Sequence, residues 1–376
     1  MVVSALCIVK NESANLPRWL EDMQKVADEL IVVDTGSTDI SIDLARHGGA
    51  QVYCFQWKND FSEARNFALA KARGDIVIFL DADEYFPKQT LSKIRLIASE
   101  LAVQKQIAGL CAPRIEIDVE NQQNQFIDVS NQCRLFRREC TYQGSIHETL
   151  VIPEGMELLQ DDRLLFYHTG YSASLIQGKL KRNLQMLKAR CERIDYKITP
   201  LDYRYFMDCY FGLGDYDKAL AMSKLCLEHK EKLATELSYI YKIRVKAAYL
   251  AGASPRVVKE LLREARDEAP DKTYFLQLTG HYLWEIGERE QALAYVHAGL
   301  NVMKDKSPKA PVYELLPYSY LIWGESLIAK NECEHGLSIL RQAVKDFPHV
   351  PLLEKSFYNA QVYCNVVLSD DRRKNE

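Results

Sequence analysis

The sequence has no long hydrophobic run, no marked excess of one charge and no paired cysteine motif. Its longest strongly apolar runs, such as residues 76–80, fall far short of the ~20 residues that a membrane-spanning helix needs. Lys and Arg number 48 against 52 Asp and Glu in 376 residues, and this net charge of −4 argues against a dedicated nucleic-acid-binding protein. The first residues lack a basic segment and turn polar at Lys10, so we expect no signal peptide and a cytoplasmic location.

The ten cysteines are scattered, and no two of them stand in a Cys-x-x-Cys pair. A zinc site or a dithiol redox motif therefore has little support. Cys7, Cys111 and Cys226 lie among apolar neighbours, where a reduced thiol behaves as a small hydrophobic group. We expect reduced thiols in the core.

In the first ~110 residues, short runs rich in Val and Ile alternate with segments that carry apolar residues at helical spacing. The predicted strands are residues 2–9, 30–34, 51–55 and 76–80, and the predicted helices are residues 16–27, 40–47 and 62–72. This alternation predicts an α/β domain with a mostly parallel sheet and helices on both faces. Such sheets bind ligands beyond the carboxyl ends of their strands, so the residues after each strand are candidates for a site.

After about residue 200 the strand pattern gives way to successive apolar helical segments. Breaks at Gly214, Gly252, Gly287 and Lys330 are spaced by roughly 38, 35 and 43 residues, close to a helix–turn–helix repeat of about 34 residues. Residues 213–220 and 286–293 resemble the tetratricopeptide family, with a generic helical bundle as the alternative. This half holds no cluster of catalytic-type residues, so we expect scaffolding, homo-oligomer contacts or partner docking.

Polar side chains follow the predicted strands of the first half. Lys10, Asn11 and Glu12 follow the first strand, and the segment 34–39 follows the second, where a turn with a helix cap is the alternative interpretation. Three carboxylates, Asp81, Asp83 and Glu84, follow the fourth strand and should repel one another. A divalent cation would relieve this repulsion, and oxygen ligands favour Mg²⁺ or Mn²⁺ over zinc. Because Mg²⁺ normally takes its remaining ligands from phosphates, the pattern predicts a nucleotide diphosphate donor.

Four segments together resemble the family 2 glycosyltransferases, which have the nucleotide-sugar-binding fold called GT-A. They are residues 7–12, 31–39, 61–68 and 74–84. The resemblance implies a Rossmann-like GT-A domain with a mostly parallel sheet, followed by the all-α tetratricopeptide-like repeats. We expect the GT-A domain at residues 1–175, a helical linker at 176–200, the repeats at 201–368 and a polar tail at 369–376.

The resemblance also assigns roles to single residues. It implies that the first-strand loop and the Asp34 turn hold the base and ribose of a uridine-type nucleotide, and that the Arg65 motif lies beside the nucleotide. Asp81 would face the ribose, Asp83 would bind the metal, and His168 would complete the metal shell. The expected nucleotide-sugar-binding residues are Val9, Asn11, Glu12, Asp34, Ser37, Arg65, Asn66, Asp81 and Ala82.

Three residues are candidates for chemistry in their own right. A guanidinium such as that of Arg65 offers a rigid fork of donors for a diphosphate. Inverting sugar transfer also needs a base to accept the proton of the acceptor, and Glu148 is the first choice, with His147 second. The alternatives are a structural ion pair for Glu148 and a hydrogen-bonded core histidine for His168.

The sequence thus favours a metal-dependent, inverting glycosyltransferase that moves a hexose or N-acetylhexosamine from a UDP-sugar. The acceptor would be a peptide or protein side chain or a cell-surface glycan, and peripheral attachment to a membrane stays open. A sugar-phosphate nucleotidyltransferase also needs acids and a metal, but the segment at Lys10 is not the Gly-rich loop expected there. A non-catalytic, sugar-nucleotide-binding repeat adaptor is the third interpretation.

Overall fold

The computed structural model describes residues 1–118, 125–169, 173–303, 315–347 and 350–375. They form two compact units, Met1–Lys197 and Ile198–Glu376. Every described strand lies in the first unit, and the described part of the second is helical. The predicted fold class, an α/β domain followed by an all-α region, is confirmed. Among the described residues, no helix combines the length and apolar character that crossing a membrane requires.

The described strands of the first unit fall into one mixed sheet and one short hairpin. The strands are β1 (Val3–Val9), β2 (Glu29–Asp34), β3 (Gln51–Cys54), β4 (Ile76–Phe79), β5 (Glu84–Tyr85), β6 (Ile107–Asp118), β7 (Gln125–Arg137), β8 (Thr141–Gln143), β9 (Thr149–Val151), β10 (Glu157–Gln160) and β11 (Phe166–His168). The order in the large sheet is β3-β2-β1-β4-β7-β6-β11-β5, with β10 also paired to β6, while β8 and β9 form the hairpin. The predicted strands are all present, and β3, β2, β1 and β4 are mutually parallel.

Antiparallel pairing enters the sheet beyond β4, where β7 pairs with both β4 and β6. At the far edge, β11 pairs with β5, so that His168 lies opposite Glu84. This pairing brings a residue distant in sequence to the acidic segment that follows β4. The sheet topology therefore places His168 beside Asp81, Asp83 and Glu84.

Helices cover both faces of the sheet in the first unit. The described α-helices of this unit are α1 (Leu16–Val26), α2 (Ser41–His47), α3 (Phe61–Leu69), α4 (Lys88–Leu91), α5 (Ile94–Val103) and α6 (Ala173–Cys191). α1 and α5 pack on one face through buried side chains such as Trp19 and Ile97, and α3 packs on the other beside Phe136. The central strands are buried on both faces, which explains their nearly continuous Val and Ile content.

The described helices of the second unit form four successive pairs, with one further helix at the end. Its helices are α7 (Pro200–Gly212), α8 (Tyr216–Leu227), α9 (Leu237–Leu250), α10 (Pro255–Glu268), α11 (Lys272–Glu285), α12 (Arg289–Met303), α13 (Leu316–Ala329), α14 (Cys333–Asp346) and α15 (Pro351–Asn375). Each predicted break lies between the two helices of a pair, and its turn contains a residue with positive φ: Gly214, Gly252, Gly287 or Asn331. The tetratricopeptide-like pattern of helix pairs is therefore confirmed.

The chain divides after Lys197, and α6 belongs to the first unit although a linker is predicted from residue 176. This division reflects which residues pack together in the folded chain, and it does not show which segments fold on their own. The predicted boundaries at residues 175, 200 and 368 stay predictions about independently folding domains.

Candidate active site

The loops after β1 and β2 are hydrogen-bonded to each other at the carboxyl edge of the sheet. The backbone N–H of Asn11 donates to Ser37 Oγ at 2.8 Å, and the backbone N–H of Thr38 donates to Asn11 Oδ1 at 2.7 Å. Asn11 has φ +58°, a left-handed conformation that non-glycine residues adopt rarely and often at functional sites. Glu12 is fixed similarly, because its N–H donates to Ser41 Oγ at 2.8 Å. The two loops thus form one rigid rim.

Asp34 closes its own turn. Its carboxylate accepts hydrogen bonds from the N–H groups of Gly36 at 2.9 Å and Ser37 at 3.0 Å, and the residue is buried. Gly36 has φ +109°, which favours glycine at this position. The carbonyl oxygen of Val9 accepts hydrogen bonds from Thr35, which ties this turn to β1. The observed contacts of Asp34 are therefore those of a turn, which was the alternative interpretation of this segment. Contacts between this rim and a nucleotide stay predictions.

Arg65 lies at the centre of a buried ion-pair network. From α3, its Nη2 donates to Asp81 at 2.9 Å and its Nε donates to Glu148 at 2.6 Å. Its guanidinium also lies 4.7 Å from the ring centre of Phe79 and 5.3 Å from that of Tyr142. Burial disfavours this charge, but the two carboxylates outweigh burial and raise the pKa of Arg65. The predicted diphosphate contact of Arg65 stays a prediction, because the observed contacts are with protein carboxylates.

Asn66, the next residue, fixes the β8 hairpin to α3. Its Nδ2 donates to the carbonyl of Tyr142, and its Oδ1 accepts from the N–H of Tyr142, both at 2.8 Å. The loop that carries His147 and Glu148 follows this strand directly. Asn66 therefore positions the loop with the predicted bases, and its own predicted contact with a nucleotide stays a prediction.

The acids after β4 are neutralised mainly by arginines, which the sequence did not indicate. Arg134 in β7 donates to Glu84 at 2.7 Å and 2.8 Å and to Asp81 at 3.2 Å. Burial would raise the pKa of Asp81, but Arg65 and Arg134 outweigh it and hold that pKa below its usual value. Arginines, rather than the expected cation, therefore relieve the repulsion at Asp81 and Glu84. The buried Ala82 separates Asp81 from Asp83, whose carboxylate contacts the imidazole of His168.

Asp83 faces His168 at the edge of the sheet. His168 Nε2 lies 3.2 Å from Asp83 Oδ2, and His168 Nδ1 is hydrogen-bonded to Glu116 in β6. Burial opposes the charged imidazole, but Asp83 and Glu116 raise the pKa of His168 to about 9. The Nζ of Lys179 in α6 contacts the same Asp83 oxygen at 2.9 Å. The structure thus brings together the two residues that are predicted to bind a metal.

Asp83 and His168 fit a hard divalent cation whose coordination a substrate completes, because cation binding can displace the Nε2 proton of His168. Among the residues that the structure describes, no group of three or more His, Cys, Asp or Glu side chains forms a full metal site. One carboxylate and one imidazole with a carboxylate behind it are nevertheless a common partial ligand set. Mg²⁺ and Mn²⁺ bound in this way take their remaining ligands from phosphates and water.

The two predicted bases lie in the loop between β8 and β9. Glu148 is mostly buried and paired with Arg65, so the ion pair named as an alternative is present. Its other carboxylate oxygen makes no hydrogen bond within the described residues of the chain. His147 has φ +53°, so this loop, like the one at Asn11, holds a residue in a strained conformation. The role of either residue as a base stays a prediction.

Three residues of the site were missed by sequence reasoning: Glu116, Arg134 and Lys179. Arg134 lies in β7, but an arginine in a strand carries no local sign of its partner. Glu116 and Lys179 lie far in sequence from their partners, which are His168 and Asp83 respectively. Gly170, two residues after His168, lies outside the described residues.

The family comparison covers the first part of this site, from β1 through β7. Residues 4–141 match the family model for Glycosyl transferase family 2. They form a family 2 glycosyltransferase domain. The matched range includes Asp34, Arg65, Asp81, Asp83 and Arg134, whereas Glu148, His168 and Lys179 lie beyond it.

Curated relatives are similar to part of this chain. The SPbeta prophage-derived glycosyltransferase SunS of Bacillus subtilis is 29% identical over 184 residues, which is 48% of this chain and 42% of SunS. A TPR repeat-containing protein of Synechococcus elongatus is 43% identical over 93 residues, which is 25% of this chain and 23% of that protein. The chain thus spans less than half the length of either relative.

Solved structures that are similar to this chain include a mannosyltransferase and a synthase. The mannosyltransferase PcManGT from Pyrobaculum calidifontis, in complex with GDP-Man and Mn²⁺, has a TM-score of 0.37 and 14% identity over 66% of this chain and 84% of its own. Glucosyl-3-phosphoglycerate synthase from Mycobacterium tuberculosis, in complex with Mn²⁺, UDP and phosphoglyceric acid, has a TM-score of 0.33 and 18% identity over 52% of this chain and 80% of its own.

Proposed function

We propose that this chain is a metal-dependent, inverting glycosyltransferase that uses a UDP-sugar donor. The observation that carries the proposal is the Asp83–His168 pair, which lies beside Asp81 at the carboxyl edge of the sheet. Asp83 belongs to the matched glycosyltransferase range, and His168 follows that range in the sequence. A hexose or N-acetylhexosamine would be transferred to a peptide or protein side chain or to a glycan.

Asp83 and His168 would hold Mn²⁺ or Mg²⁺, and the bound cation would neutralise charge on the departing diphosphate. Glu116 supports this assignment, because its hydrogen bond to Nδ1 directs the other ring nitrogen of His168 toward Asp83. The cation would need two or more further oxygen ligands, and a diphosphate supplies such oxygens.

The rim formed by Asn11, Glu12, Asp34 and Ser37 would accommodate the base and ribose. Its side chains and backbone are already hydrogen-bonded to one another, so binding a nucleotide there costs little ordering of the chain. Arg65 and Arg134 keep Asp81 ionised and fixed, which suits a carboxylate that accepts ribose hydroxyl hydrogen bonds.

Glu148 is the base that we propose for the acceptor proton. The ion pair with Arg65 holds one carboxylate oxygen in place, and the other oxygen can accept a proton from the attacking group. An inverting reaction requires one such base on the acceptor side of the anomeric carbon, so a single oriented carboxylate is sufficient. His147, the adjacent residue, is the second candidate.

A donor panel tests the proposal. The full chain is incubated with Mn²⁺ and each of several UDP-sugars and GDP-sugars, and nucleotide release is measured with and without EDTA. We expect UDP release from one UDP-sugar, dependent on the metal. Release of pyrophosphate from a sugar phosphate and a nucleoside triphosphate would instead identify a nucleotidyltransferase, and tight UDP-sugar binding without turnover would favour the adaptor.

A further inference from the structure

Lys179 and His168 share one carboxylate oxygen of Asp83. The Nζ of Lys179 lies 2.9 Å from Oδ2, and Nε2 of His168 lies 3.2 Å from the same atom. The lysine side chain is 35% exposed, whereas the histidine side chain is 9% exposed and hydrogen-bonded to Glu116 on its far side. Of the two groups on this oxygen, only the lysine is free to move away.

We propose that Lys179 occupies the cation position on Asp83 in the ligand-free chain and binds the diphosphate of the donor once a divalent cation is present. This inference rests on the proposed function. An ammonium group and a divalent cation repel each other, so they cannot both stay close to one carboxylate oxygen. The flexible four-carbon stem of lysine lets Nζ move to the phosphate oxygens that accompany the cation, where it forms charge-assisted hydrogen bonds.

A purely structural role, in which Lys179 anchors α6, is poorly supported by the contacts of that helix. Met186 and Leu187 of α6 are buried. Arg190 Nη1 also donates to the carbonyl oxygen of Ile146 at 3.2 Å, near the end of the helix. These contacts hold α6 in place without the Lys179–Asp83 ion pair, so the position of Lys179 at the metal site calls for a different explanation.

The two roles of Lys179 predict effects of opposite sign for Lys179→Met in the full chain. Without nucleotide, Mn²⁺ should bind about fivefold more tightly to the variant, because a partly exposed competing ion pair is gone. With saturating Mn²⁺, UDP should bind at least about tenfold more weakly, because a charge-assisted hydrogen bond to phosphate is lost. Lys179→Arg should retain most of the UDP affinity.

Mn²⁺ binding is measured by electron paramagnetic resonance and UDP binding by calorimetry, with Lys181→Met as the matched control. Lys181 is exposed on the same helix and carries the same charge, so its variant should match the wild type in both measurements. Unchanged UDP affinity in Lys179→Met, or weaker Mn²⁺ binding, would overturn the inference. If the wild type itself shows no Mn²⁺-dependent UDP binding, the proposed function fails instead.

Discussion

At the scale of single residues, the ion pair between Arg65 and Glu148 decides how the proposed base can be tested. Arg65 is buried and donates to Glu148 Oε1 at 2.6 Å. Removing the Glu148 side chain would therefore leave the buried guanidinium charge with one carboxylate partner fewer. Glutamine keeps an oxygen that can accept this hydrogen bond, while it loses basicity. Glu148→Gln therefore separates the chemical role from the structural one.

We expect Glu148→Gln to lower kcat by roughly 10²–10⁴-fold while the affinity for UDP stays nearly unchanged. Thermal unfolding of both proteins checks that the fold is intact. His147→Ala should lower kcat less if His147 only positions the loop. An inactive His147→Ala together with a fully active Glu148→Gln would exchange the two roles, and two active variants would place the base elsewhere or point to a thiolate acceptor that is already ionised.

At the scale of secondary-structure elements, the parallel strands could be predicted because their signal is local. β1, β2 and β4 are buried on both faces, so each appears in the sequence as a continuous apolar run between polar residues. The breaks between the helices of the second unit were equally visible, because each turn contains Gly or Asn in a left-handed conformation.

The ion pairs of the site could not be predicted, because they depend on which strands become neighbours. Arg134 reaches Asp81 only through the antiparallel pairing of β7 with β4, and Glu116 reaches His168 only through the pairing of β6 with β11. No local pattern specifies either pairing. The sequence therefore predicts only a cation at the acid cluster, whereas arginines neutralise Asp81 and Glu84 in the structure.

Close packing of α13 against α14 predicts a stability effect. A Cβ atom at Gly336 would lie 2.6 Å from Ile328 Cγ1 and 2.8 Å from the carbonyl oxygen of Gly324, which belongs to the backbone and cannot rotate away. We expect Gly336→Ala to reduce the free energy of unfolding by about 1–3 kcal/mol. Ser338→Ala, at an exposed position on the same helix, should change it by less than about 0.5 kcal/mol. Equal urea midpoints for both variants would contradict this packing.

Burial of His281 in α11 predicts a pH dependence of stability. Burial lowers the pKa of this imidazole to about 4, and Nε2 lies 2.9 Å from Ser319 Oγ. The unfolded chain binds a proton near pH 6.5 and the folded chain does not, so stability is complete above that pH and falls as the pH drops toward 4. At pH 5 the loss should be about 2 kcal/mol relative to pH 8. Urea unfolding at both pH values measures this loss. Between pH 8 and pH 5, the free energy of unfolding of His281→Gln should fall by about 2 kcal/mol less than that of the wild type. An equal fall in both proteins would contradict the assignment.

At the scale of the whole molecule, the two compact units predict that nucleotide binding belongs to the first. All residues that we place in the site lie between Val9 and Lys179, within Met1–Lys197. A fragment of residues 1–197 should therefore retain Mn²⁺-dependent UDP binding, while acceptor use or oligomeric state changes. Circular dichroism checks that the fragment folds. A folded fragment without any nucleotide affinity would show that the second unit is required for the site.

The central claim is that a divalent cation on Asp83 and His168 holds a UDP-sugar in this glycosyltransferase domain. Calorimetric titration of UDP into the full chain tests it most directly, in three arms: wild type with Mn²⁺, wild type with EDTA, and Asp83→Asn with Mn²⁺. We predict binding in the first arm and its loss in the other two, with circular dichroism showing an intact fold. Equal UDP affinity in all three arms, or none in the first, would contradict the account.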